Sequence, residues 1–217
     1  MLKKRIVTAL MLALPLMAGA QTEWDLLENE DAAQEQAGDN SSKKKEKKTV
    51  DPKYLEGAVP EEDGNVVFRA VIDAPGKSAD QVYKIVKDYM VKMTKQSNQL
   101  DQSRIVASDS LSHSICGNYQ EWLTFKSTSL VLDQTKFFYN LMADCSDGKA
   151  EITLCRIFYL YDEERDAQTY RAEEWITDEY ALTKNKTKLS RVSGKFRRKT
   201  IDRKDYLFNK FAELLNQ

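Results

Sequence analysis

The chain has 217 residues, 33 Lys and Arg against 34 Asp and Glu, and one histidine, for a formal net charge of −1. A balance so near zero argues against a general binder of polyanions, and a lone histidine cannot supply the paired imidazoles that many metal sites use. The length favours one globular domain with a tail over two domains.

The chain opens MLKKRIVTALMLALPLMAGAQ, with cationic Lys3, Lys4 and Arg5, an apolar run from Ile6 to Met17, and Ala18-Gly19-Ala20. This is the layout of a secretory signal. Residues 1–20 are expected to be cleaved after Ala20 and the protein to be periplasmic or secreted. The apolar run is too short for a spanning helix, which needs ~20 residues, and no later segment is apolar enough to serve as a transmembrane segment. Removing the leader leaves 30 basic against 34 acidic residues, a net charge near −4.

Residues 21–60 read as a disordered tether. NEDAAQEQAGDNSSKKKEKK has no large apolar residue, so it cannot offset its chain entropy by burial. From about residue 61 to residue 217 a single domain is expected. NVVFRAVID alternates as a strand, with Val66, Phe68, Ala70 and Ile72 on one side. After APGK, the segment SADQVYKIVKDYMVKMTK reads as a helix, with Ser78 and Gln81 at capping-box spacing and Val82, Val86, Tyr89 and Met93 in one stripe. Four strand-like runs follow at 103–109, 115–127, 134–145 and 150–162, with Asp147-Gly148 as a hairpin turn between the last two. A final helix is expected over Ile201 to Asn216, capped by Thr200 or Asp202, with Leu207, Phe211 and Leu215 in its stripe. The fold class is therefore α+β: an antiparallel sheet of about five strands packed by two helices, in the order β-α-β-β-β-β-α.

That order, with the words KYLEGAVPEEDGNVVF, APGKSADQVY and EEWITDEYALTKNKTKLSRVSGKFRRKTIDRKD, resembles the exported bacterial family called domain of unknown function 4468. The resemblance spans roughly Lys53 to Leu215 and implies a TBP-like fold. It brings no catalytic or binding residues with it. A fold shared with a DNA-binding protein does not by itself carry that function, and no nucleic-acid partner is expected of an exported chain.

Catalytic constellations are scarce. His113 stands between Ser112 and Ser114 without a Gly-x-Ser-x-Gly elbow, and neither metal-ligand spacing nor a phosphate loop is present. The carboxylates Asp162, Glu163, Glu164, Asp166, Glu173 and Glu174 read as solvated turn residues. No enzyme activity, cofactor or metal is expected.

Three features remain. With tight links between strands, Cys116 falls opposite Cys145 and a disulfide between them is expected, while Cys155 points to the other side of the sheet. Two helices cover only one face, so Trp122, Phe138 and Tyr159 are candidates for an apolar sheet face; either that face binds something or residues 163–199 fold over it. Between Lys184 and Lys204 stand ten basic residues and one acid, Asp202. Lys195, Arg197 and Lys199 alternate around Phe196 as on a strand. With Arg198 they form a candidate anion-binding set near a helix start, unless the eight acids from Asp162 to Glu179 neutralise them internally, which the near-cancelling totals favour. The expected role is a non-enzymatic binding or interaction module of the cell envelope, its partner an envelope protein or a small amphiphilic or anionic ligand. A structural accessory domain is the alternative and a hydrolase a more distant one.

Overall fold

The computed structural model describes residues 49–128, 130–161 and 166–217. The expected leader and residues 21–48 of the expected tether lie outside the described residues. Seven strands form one antiparallel sheet: β1 (Glu61–Glu62), β2 (Asn65–Asp73), β3 (Arg104–Asp109), β4 (Ser114–Ser127), β5 (Leu132–Ser146), β6 (Lys149–Tyr161) and β7 (Gln168–Arg171). The order across the sheet is β1-β2-β6-β5-β4-β3, and β7 extends the line of β2 alongside β6. The helices are α1 (Ala79–Met93), the single turn α2 (Asp178–Ala181) and α3 (Ser193–Leu215). The α+β class holds, with two short strands, β1 and β7, beyond the five expected.

Local chemistry explains the long elements. The Ser78 hydroxyl accepts from the Gln81 amide while the Gln81 side chain accepts from the Ser78 amide, so α1 starts with both orphan donors satisfied. Its stripe of Val82, Val86, Met90 and Met93 is fully buried, and α1 packs on β5 and against α3. The matching stripe of α3, with Leu207, Phe211 and Leu215, closes the same layer over β2. Gly117 sits on this core face because a Cβ there would stand 2.5 Å from the ring of Tyr119, which stacks on Tyr139 at 5.4 Å.

A bulge in β6 decides which aromatic rings face the core. Arg156 adopts φ +54°, and the pairing with β5 slips by one residue between Phe138 and Asn140. Before the bulge the buried apolar positions are Ala150, Ile152 and Leu154; after it they are Ile157 and Tyr159. Tyr159 therefore belongs to the core, stacked on Phe137 at 5.5 Å with its hydroxyl 2.7 Å from Thr200 Oγ1, and not to the open face where it was expected. Its neighbour Phe158 takes that place, stacked on Phe138 at 4.3 Å.

The expected tether and final helix are both revised. Pro52–Tyr54 forms a 3₁₀ turn on α3, where the Tyr54 hydroxyl donates to Asp202 at 2.7 Å and Lys53 pairs with the same carboxylate. Val59 is buried, so residues 49–60 belong to the domain. Residues 195–199, expected as a strand, lie in the first two turns of α3, and Thr200 and Asp202 lie inside that helix instead of capping it.

Candidate functional site

The start of α3 is shaped by a small hairpin. Leu182 pairs with Leu189, the Thr183 amide donates to the Lys188 carbonyl, and the Ser190 amide returns to the Ala181 carbonyl. Ser190 then does the work of a cap: its hydroxyl accepts from the Gly194 amide at 3.1 Å, and Ser193 Oγ donates to the Tyr180 carbonyl at 2.6 Å. Glycine is required at 194, since a Cβ there would lie 2.7 Å from Cβ of Leu189. The hairpin is tied to the chain before β1 by an ion pair at 2.6 Å from Lys186 to Glu56.

Arg197 locks these pieces together. Its guanidinium is wholly buried and donates to the carbonyls of Tyr54, Leu55 and Ile176 and to Asp178 Oδ1, the last at 2.7 Å. An arginine so used is a structural clamp, and the expectation that it binds a free anion is corrected: the side chain is wholly buried and each of its three nitrogens already donates to the protein.

Between residues 49–55, the hairpin and the first turns of α3 lies a cavity of about 640 Å³. Its lining combines four basic residues, Lys188, Arg191, Lys195 and Arg198, with the apolar side chains of Val50, Leu55 and Leu189. Lys195 is partly engaged, pairing with Asp133 at 2.6 Å and lying 4.4 Å above the ring of Phe125. Arg198 lies 5.6 Å from the centre of the Tyr54 ring. Lys188 and Arg191 are exposed and have no acidic partner among the described residues. Burial and the bond to Asp202 push the Tyr54 phenol up to about 12, so it stays neutral beside this site. Backbone amides of the first helical turn add a positive end to the dipole. Of the expected set, Lys195 and Arg198 line the cavity, while Arg197 and Lys199 do not.

In the sequence Lys188 and Arg191 are two members of the basic stretch that nothing local distinguishes from the rest. The apolar wall went unread because residues 50 and 55 fell in the expected tether. No local signal marks them: they become lining only when the Arg197 clamp draws that segment onto α3.

The other candidates sort by face. Trp122 and Phe138 are half-buried on the sheet face away from the helices, with Lys136 5.6 Å above the Trp122 ring. Met142, Phe158 and Val71 are 39%, 38% and 59% exposed there. The described residues from 166 to 199 do not cover this face. They run from β7 to the helix side, where Trp175 stacks on Tyr170 at 3.8 Å and meets Phe196.

The disulfide expectation is overturned by an odd register shift. Cys116 pairs opposite Met142 on the open face, whereas Cys145 pairs opposite Ala150 and points into the core. All three cysteines are free thiols. Strand β5 begins at Leu132, earlier than expected, and a bulge between Thr124 and Lys126 moves the pairing further, which turns the two side chains to opposite faces. His113 Nε2 lies 2.8 Å from Asp80, and the hydroxyls of Ser112 and Ser114 bond each other at 2.9 Å. Among the described residues, no group of three His, Cys, Asp or Glu is placed to hold a metal, and no helix is long and apolar enough to cross a membrane.

Residues 68–160 match the family described as Domain of unknown function (DUF4468) with TBP-like fold. A solved DUF4468 family protein from Bacteroides ovatus is 41% identical, with a TM-score of 0.70 over 78% of this chain and 97% of that one. A TBP-like protein from Parabacteroides distasonis, 18% identical, superposes with a TM-score of 0.57 over 72% of this chain and 96% of its own. None of the curated proteins matches the chain.

Proposed function

We propose a role for this chain, which belongs to the DUF4468 family and has its TBP-like fold, from the chemistry of its site: an exported, non-enzymatic module of the cell envelope that binds an anionic group in the cavity at the start of α3. The observation that carries the reading is the convergence of Lys188, Arg191, Lys195 and Arg198 on one concavity beside a helix N-terminus. The secretory layout of residues 1–20 supports the location. Titration of the full chain with inorganic phosphate and with pyrophosphate, followed by thermal unfolding, tests it. Both ions should raise the midpoint, and Lys188→Glu with Arg191→Glu should remove the effect. Equal midpoints with and without the ions would end this reading.

A second reading, a structural accessory domain, is favoured by the open sheet face with Phe158 and Met142 exposed. A protein partner recovered from envelope extracts by the wild type and lost by Phe158→Glu would support it over anion binding.

A further inference from the structure

Resting on the anion-binding reading, the geometry points to a more specific ligand: an amphiphilic oxyanion, with its charged head at Lys188 and Arg191 and an acyl or aryl body lying along Val50, Leu55 and Leu189. Two observations carry this. The cavity, at about 640 Å³, is far larger than a bare oxyanion requires, since a liquid water occupies ~30 Å³ and organic ligands fill pockets of about 300–1,000 Å³. A bare ion would leave the apolar wall facing water.

The wall and the head site are also held in contact. Gly194, in the first turn of α3, lies so close to Leu189 that no Cβ fits between them. The Arg197 clamp fixes Leu55 through its carbonyl. A head seated by the helix start therefore has apolar surface immediately beside it, which is the juxtaposition an alkyl phosphate or alkyl carboxylate needs. Asp133 beside Lys195 disfavours a second negative group at that end, so a single compact head fits better than a polyanion.

Each methylene seated on such a wall raises affinity about fourfold. The test uses the full chain and monomeric ligands below their micelle concentrations: butyl, hexyl and octyl phosphate, octanoate, inorganic phosphate and octanol, each titrated calorimetrically. The expected result is one site, affinity climbing with chain length, an octyl oxyanion binding at least tenfold tighter than inorganic phosphate, and weaker binding of octanol. Leu55→Ser should flatten the chain-length series while leaving phosphate binding in place. Equal affinity for octyl phosphate and inorganic phosphate would overturn the amphiphile assignment and leave the anion site standing. Octanol binding as well as octyl phosphate would overturn the head-group assignment. Absence of binding by every oxyanion would remove both the inference and the reading beneath it. Octyl phosphate and nonanoate carry the same eight-carbon alkyl chain, so adding nonanoate to the series identifies from their relative affinities which oxyanion the site prefers.

Discussion

Glu121 on β4 and Arg203 on α3 meet inside the core as a two-pronged ion pair, Nε to Oε1 and Nη2 to Oε2, both at 2.7 Å, with neither side chain exposed. Asn98 and Gln99 donate to the same carboxylate. Burial works against the guanidinium charge, yet Glu121 more than compensates, and the Arg203 pKa is raised. The pair pins the middle of α3 to the sheet, and so fixes where its basic first turns lie.

Removing one partner leaves the other as a buried, unpaired charge. Arg203→Met is therefore expected to cost about 3–5 kcal/mol, and the double variant with Glu121→Leu to recover most of that loss. Urea unfolding of the three chains measures both. A single variant as stable as wild type would mean that the pair is not buried in solution.

Gly194→Ala should be disproportionately harmful for so small a change. The added methyl meets Leu189 at 2.7 Å, and relief requires the hairpin to move from α3. The expected cost is about 1–3 kcal/mol, with weakened anion binding, readable by calorimetry and thermal unfolding. Unchanged stability and affinity would show that the hairpin does not pack on the helix start as described.

Two adjacent aromatics should behave oppositely. Tyr159→Ala opens a cavity in the core and should cost about 3–5 kcal/mol. Phe158→Ser, on the open face, should cost under about 1 kcal/mol. The contrast in unfolding free energy tests the Arg156 bulge, because without it the two rings would exchange faces.

The cysteines give a test by labelling and by pH. Alkylation followed by peptide mapping should find three free thiols, with Cys145 the slowest to react. A Cys116–Cys145 bridged peptide would contradict the strand pairing. Burial, aided by Asp144, pushes the Cys145 thiol from 9.0 up to about 12. The folded chain thus holds this proton more tightly than the unfolded chain does. The resulting stability is complete below about pH 9 and is lost as pH rises from there toward about 12. Between about pH 9 and 10.5, wild type should lose more stability than Cys145→Ala.

Legibility followed the range of the interactions. The period-2 and period-3.6 stripes of β2, α1 and α3 are local, and so is the Ser78–Gln81 cap; each could be read directly. The cysteine pairing and the side of Tyr159 were not, because bulges at Arg156 and near Thr124 shift the count by single residues, and one residue exchanges faces. Lys195, Arg197 and Lys199 suit either a strand or a helix around Phe196. The choice of helix is made by packing: Phe196 sits among Phe125, Tyr159, Tyr161 and Trp175. Arg197 and Arg203 could not be told from ligand-binding cations until their partners at Asp178 and Glu121, distant in sequence, came into place.

The most direct measurement of the binding claim is amide chemical-shift mapping of the full chain as octyl phosphate is added. Perturbations should concentrate at residues 50–55 and 188–198 and disappear in the chain carrying Lys188→Glu and Arg191→Glu. Shifts confined to the open face around Trp122, Phe138 and Phe158, or none at saturating ligand, would contradict it.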